Sequence, residues 1–263
     1  MTAHVACTGD GAVAVVTLSN PRKLNAMTRA MWRELAEVFA RVQAGAAWRC
    51  VLVRGEGGHF CAGGDIAEYP DFRFDAASLR DFHEGDVWGG LAAMLACDVP
   101  IVAAIEGHCM GAGVEIASCC DIRVAADDAK FGAPIARLGF PMAPREAALV
   151  ARAAGEATAR QMLLEAAVLE AADMQARGFL QYLAPAAQVQ GRARETAARI
   201  AALAPQAARL NKRTLRALNQ PPALAGQAPE AIETIVKTAY DYADSAEHRE
   251  GIAAFLGKRP ARF

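Results

Sequence analysis

The sequence has little net charge, no long apolar run and no paired-cysteine pattern, and each absence removes a class of function. The formal net charge is −1, so no electrostatic argument points to nucleic acid or to an anionic membrane as a partner. No apolar stretch runs uninterrupted to the length of a bilayer span. The opening MTAHVACTGDGA lacks a charged segment followed by an apolar one, and a cytoplasmic location is the expectation. The seven cysteines are an odd number scattered through apolar surroundings, as at Cys50, Cys97 and Cys119-Cys120. They form neither a disulfide frame nor a metal-ligand spacing, which fits a reducing compartment with no bound metal. Low-complexity segments and short-period repeats are also missing.

What is present is organised around Val99–Ile122, VPIVAAIEGHCMGAGVEIASCCDI. The apolar, β-branched run Val99–Ile105 predicts a buried strand. Gly107, Gly111 and Gly113 follow, and then a helix-compatible pattern through Val114, Ile116 and Ala117. A strand, a Gly-rich turn and a helix start leave the first helical N–H groups without intrahelical partners. The phosphate-loop ending Gly-Lys-Ser/Thr is absent, and the spacing fails the dinucleotide fingerprint. Such a turn, with its N–H groups presented, can instead serve an oxyanion. Glu115 falls on the first helical turn beside it, either as a favourable terminal charge or as a working carboxylate.

A second turn of the same kind follows the predicted strand Cys50–Val53. It reads His59-Phe60-Cys61-Ala62-Gly63-Gly64-Asp65-Ile66, with Asp65 as the expected cap of a short helix. Two strand ends thus offer loose N–H donors, the number an oxyanion hole needs. Elsewhere, Ala12–Leu18 predicts a strand closed by Ser19-Asn20-Pro21. Thr28 predicts the cap of a helix with Met31, Leu35, Val38, Phe39 and Val42 on one face. Asp71–Asp86 is polar and aromatic without a clean period and reads as a flap over the site. Helices are expected at Trp88–Leu95, Arg145–Ala154, Ala157–Leu164 and Ala171–Arg177, and strands at Asp121–Ala125 and Phe179–Leu183. Lys130–Phe140 reads as loop. Beyond Pro185 the pattern is helical, interrupted around Pro221-Pro222. The chain divides into an α/β core over residues 1–204 and a helical region over 205–263.

These motifs together resemble the crotonase superfamily, the enoyl-CoA hydratase/isomerases. Asn20-Pro21-Arg22-Lys23-Leu24-Asn25-Ala26-Met27 is similar to its N-terminal motif. Phe60–Ile66 and Pro100–Ile122 are similar to its two oxyanion-hole loops, and Lys130-Phe131-Gly132 and Arg249-Glu250-Gly251 with Phe255 also fit. The likeness runs in order along nearly the whole chain.

The resemblance implies an α/β crotonase-like spiral of ββα units with a helical C-terminal region that supports homotrimers or homohexamers. It implies an acyl-CoA thioester as ligand in fatty acid metabolism, with no cofactor beyond the coenzyme A of the substrate. The thioester carbonyl would lie between the N–H groups of Gly64 and Ala112, the latter standing where the family usually has glycine. Arg22, Lys23, Leu24 and Ala26 would line the nucleotide end of coenzyme A, and Ala62, Asp65 and Ile66 its pantetheine. Glu115 matches the first of the hydratases' two glutamates. The place of the second is taken by Ile135, which counts against isomerisation and against ordinary two-glutamate hydration. Glu146, after Pro144-Arg145, is either an auxiliary acid or a solvated charge at a helix start. His108-Cys109 raises the alternative of acyl transfer. Three readings remain open: hydration and dehydration of an enoyl-CoA, another enolate reaction (thioester or C–C hydrolysis, decarboxylation), and acyl-CoA binding without catalysis.

Overall fold

The computed structural model describes residues 2–218, residue 238 and residues 245–263. Strands β1 (His4–Asp10) and β2 (Val13–Ser19) form an antiparallel hairpin with Val5 opposite Leu18. The helix α1 (Arg29–Ala44) follows, and Thr28 caps it by accepting from the Met31 N–H at 3.2 Å. Its apolar face is the expected one, with Met31, Leu35, Val38, Phe39 and Val42 all buried.

Strands β3 (Cys50–Gly55), β4 (Ile101–Ile105), β6 (Ile122–Ala126) and β9 (Tyr182–Ala184) extend the hairpin into a six-stranded sheet, β1-β2-β3-β4-β6-β9, whose added pairs are all parallel. Every residue of β4 is buried, as expected for a central strand covered on both faces. A smaller sheet, β5-β7-β8, is made by His108–Met110, Lys130–Gly132 and Val168–Glu170.

The chain alternates between these sheets. It leaves β4 for β5 and then enters α4 (Ala112–Cys119); it leaves β6 for β7. The exit of β3 follows the same path, because Cys61 bridges Cys109 of β5. Each turn thus lays one strand in the large sheet and a short one in the small sheet, which is the ββα spiral. Arg123 of β6 binds successive turns from the core, donating to the carbonyls of Ala117, Cys120 and Phe179. Two of those carbonyls belong to the C-terminal end of α4, where a cation is favoured.

Around this core lie α2 (Ala76–Arg80), a π-helical turn Asp81–Val87, α3 (Trp88–Ala96), α5 (Pro144–Ala154), α6 (Glu156–Leu164) and α7 (Ala171–Ala176). Asp71–Asp86 is therefore mostly helical rather than a loose flap: Phe82 and Asp86 are buried, and Asp86 pairs with Arg29 and with Arg33 at 2.6 Å. Lys130–Phe140, expected as loop, contains β7 and a 3-10 turn at Ile135–Leu138. Helix α8 (Ala186–Ala201) buries Val189, Ala193, Ala197 and Ala201 against the large sheet. Helix α9 (Pro205–Leu218) is tied to the core by Lys212, which pairs with Asp121 at 2.7 Å, and by Arg216, which pairs with Asp98 at 2.7 Å. Helix α10 spans Ala246–Leu256. The expected break at Pro221-Pro222 lies outside the described residues. Among those residues no helix is long and apolar enough to cross a membrane.

Candidate active site

Two loops meet where the spiral's turns lie side by side. The first is stitched from both sides: Cys61 N–H donates to the His108 carbonyl at 2.9 Å, and Met110 N–H donates to the Cys61 carbonyl at 2.8 Å. The N-terminal motif adds three bonds, from Ala62 N–H to Leu24 O at 3.0 Å, from Met27 N–H to Gly63 O at 2.8 Å, and from Asp65 N–H to Met27 O at 2.8 Å. The residues on either side of Gly64 are thereby fixed, while its own N–H finds no protein acceptor among the described residues. The second loop leads into α4, where Ala112 is the first helical residue and its N–H is likewise left over. The loops touch at Gly113, where a Cβ would stand 2.5 Å from the Cys61 carbonyl oxygen. Glycine is required there by the closeness of the approach.

Gly64 and Ala112 open into a cavity of about 340 Å³. Its wall is largely apolar, with Trp32, Phe82, Val87, Ile135, Phe140 and Met142, and it takes in two carboxylates, Glu115 and Glu146. Glu115 sits on the first turn of α4 and is only 6% exposed. Burial pushes its pKa well above the usual carboxylate range, and the charge of Glu146 adds to the rise. Glu146 sits on the first turn of α5, started by Pro144, and is 4% exposed. Its Oε1 lies 2.8 Å from His83 Nδ1. His83 Nε2 faces Arg73 Nη1 at 3.5 Å. With Arg73 only a donor, these partners assign the imidazole its tautomer: Nδ1–H donates to Glu146 and Nε2 accepts.

The expected residues divide into those that line this cavity and those that do not. Gly64, Ala112, Glu115, Ala62, Ile66 and Glu146 line it together. Ile135 lines it as well, and presents an apolar side chain. Arg22, Lys23 and Leu24 are exposed on the adjoining loop, and Ala26 is buried beneath it. Asp65 does not line the cavity. Its carboxylate holds Lys23 Nζ at 2.6 Å and caps the following 3-10 helix by accepting from the Ala67 N–H at 3.2 Å. The reading of Glu146 as a solvated helix-start charge is overturned by its burial. The His108-Cys109 dyad is overturned too: neighbours on a strand face opposite ways, Cys109 is fully buried with a raised pKa, and His108 stacks on His59 at 5.0 Å.

Four residues were not singled out by the sequence. Asn25, fully buried, accepts from the Asn20 N–H at 2.9 Å and donates to the carbonyls of Glu56 and His59, each at 2.7 Å, so it clamps the N-terminal motif to the first loop. Its signal was its place in that motif. Tyr69, Arg73 and His83 reach the cavity from a stretch with no readable period. Tyr69 stands over Gly64, so that a Cβ added to Gly64 would lie 2.3 Å from its hydroxyl. Burial pushes the Tyr69 phenol up to about 12, so it stays protonated at neutral pH.

The sequence model of the enoyl-CoA hydratase/isomerase family matches residues 8–263. The chain belongs to the enoyl-CoA hydratase/isomerase family. Among curated relatives, the Mycobacterium tuberculosis protein named "Probable enoyl-CoA hydratase echA8" is 31% identical over 97% of this chain and 95% of its own. The 2,3-dehydroadipyl-CoA hydratase of Escherichia coli is 29% identical over 95% and 94%. A solved enoyl-CoA hydratase/carnithine racemase from Magnetospirillum magneticum superposes with a TM-score of 0.91 at 35% identity, covering 98% of this chain and 94% of that one. The crotonase fold and acyl-CoA chemistry expected from the sequence are therefore those of this hydratase/isomerase family.

Proposed function

We propose that the protein hydrates the C2–C3 double bond of an enoyl-CoA, and catalyses the reverse dehydration, with Glu146 in the place of the carboxylate that Ile135 lacks. The observation that carries this reading is the presence of two buried carboxylates in the cavity that also holds the two unpaired N–H groups.

The thioester oxygen would accept from the Gly64 and Ala112 N–H groups. Water held by Glu146 adds to C3 and gives its proton to that carboxylate. The electron pair of the double bond shifts toward C2 and the thioester oxygen. There the two N–H donors hold the growing charge, each worth roughly 3–4 kcal/mol in sites of this kind. Glu115, whose charged form burial disfavours, then protonates C2. Glu146 ends protonated and Glu115 ionised, and a proton exchanged with solvent restores both. The two carboxylates differ in environment, and such a difference separates acid from base.

The other readings have less support. Acyl transfer through Cys109 loses its nucleophile to burial. Two buried carboxylates in one cavity favour catalysis over binding alone. No cofactor enters the scheme. Arg22, Lys23 and Leu24, exposed beside the cavity, would meet the nucleotide end of coenzyme A. The helical region beginning at Pro205 would join chains into trimers or hexamers; Leu218, Ile252 and Leu256 are exposed on α9 and α10.

The test is incubation with a panel of enoyl-CoA and 3-hydroxyacyl-CoA thioesters, with the products weighed by mass spectrometry. A gain of one water by an enoyl-CoA supports hydration. Isomerised, hydrolysed or unchanged thioesters throughout would refute it.

A further inference from the structure

Arg73 is a cation built into the wall of the cavity without a carboxylate in contact. Its guanidinium carbon lies 3.6 Å from the Phe140 ring centre and 4.6 Å from that of Tyr69, so two aromatic faces hold its plane. One N–H points to His83 Nε2 at 3.5 Å. Among the described residues the rest of the side-chain fork has no protein acceptor and no ion-pair partner. Burial lowers its pKa, yet a guanidinium stays charged at neutral pH. Arg73 is half-buried, so its remaining N–H groups are open to water, which an anion in the cavity can displace from the fork. A planar, pre-positioned guanidinium suits a carboxylate, which it can bind through two parallel hydrogen bonds.

The other arginine of this wall is differently placed: Arg137 is exposed and donates to the Ala166 carbonyl at 2.9 Å. The carboxylates of the site do not fill the fork either. Burial disfavours the charged form of Glu115, and Glu146 is taken by His83.

Tyr69 links the two groups. Its hydroxyl meets Gly64, and its ring face meets Arg73. The Tyr69 side chain therefore touches both the loop of the proposed oxyanion site and the guanidinium, and both belong to one cavity of about 340 Å³, which suits a short acyl chain. We propose that the acyl chain carries a second carboxylate at its far end, and that Arg73 binds it. The substrate class is the coenzyme A thioester of a short unsaturated dicarboxylic acid. The proposal rests on the reading that the thioester carbonyl sits at Gly64 and Ala112.

Calorimetry on the full-length protein tests the subsite without turnover. Saturated, unreactive acyl-CoA thioesters are compared in pairs of equal chain length, one ending in a carboxylate and one in a methyl group. The wild type should bind the carboxylate form more tightly. Arg73→Met should cut that preference about ten- to a hundredfold, the usual scale for a hydrogen bond to a charged group. Arg73→Lys should restore only part of it. No preference in the wild type overturns the proposal, whatever the enzyme's reaction. An equal loss for both ligands also overturns it, because Arg73 would then serve a coenzyme A phosphate or the fold. A preserved preference with no hydration of any enoyl-CoA would instead sink the hydratase reading and leave the carboxylate subsite standing.

Discussion

His83 and Glu146 are joined at 2.8 Å although 63 positions separate them in the chain. The π-helical turn brings His83 to the cavity, and the first turn of α5 brings Glu146. The contact holds a buried carboxylate in one orientation and places the imidazole N–H on it. Glu146 is thereby a fixed part of the cavity rather than a surface charge.

Removing the imidazole should therefore weaken turnover more than binding. For His83→Ala we expect kcat to fall about ten- to a hundredfold, the cost of a lost hydrogen bond to a charged group. The KM for the enoyl-CoA should change little. A variant with unaltered kcat would mean that Glu146 needs no orienting partner.

Glu115 gives a prediction in pH. Its folded pKa stands well above the ordinary value of 4.5 because burial disfavours the charged form, with Glu146 adding to the rise. The stability linked to the neutral carboxyl is present in full below 4.5 and is lost as pH rises through the folded pKa. Glu115→Gln removes that dependence. The melting temperature of the variant should rise relative to wild type as pH increases, while turnover falls at least about a hundredfold. In the wild type, kcat/KM should drop on the alkaline side as Glu115 ionises. A melting-temperature difference independent of pH would contradict the assignment.

The close approach of the two loops predicts a steric result. Gly113→Ala places a methyl 2.5 Å from the Cys61 carbonyl oxygen. Overpacking of this kind costs about 1–3 kcal/mol and pushes apart the loops that carry Gly64 and Ala112. Thermal unfolding should shift down, and acyl-CoA affinity should fall with it. Unchanged stability would mean that the loops are not packed as described.

The helical C-terminal region should hold chains together. Light scattering at micromolar concentration should give the mass of a trimer or a hexamer, and a monomer mass would refute the assembly.

Local signals carried much of this fold into the sequence. The face of α1, its Thr28 cap, the buried β4 and both Gly-rich turns were legible because each depends on neighbours a few positions away. Glu115 was legible for the same reason, being the acidic residue on the first turn after such a loop. The strand β1 was not, since its residues are mostly exposed or half-buried and show little alternation. Nor were β5 and β7, three residues each, whose pairing exists only because the spiral stacks its turns. Glu146 looked like a solvated charge because PREAAL reads as an ordinary helix start. Its burial is decided by His83 and the cavity wall, which come from distant parts of the chain. Tyr69 and Arg73 were hidden for the same reason: their meaning depends on Gly64 and Phe140 facing them.

The central claim is that Glu146 has taken up the work of the carboxylate missing at Ile135, and Glu146→Gln tests it most directly. The amide keeps the shape of the side chain but cannot accept a proton from water. On the best enoyl-CoA of the panel, single-turnover hydration by this variant should be slower by at least about a hundredfold. Binding of an unreactive acyl-CoA should stay within a few-fold of wild type, because the Gly64 and Ala112 N–H groups are untouched. Hydration at the wild-type rate would contradict the account and leave Glu115 as the sole carboxylate at work.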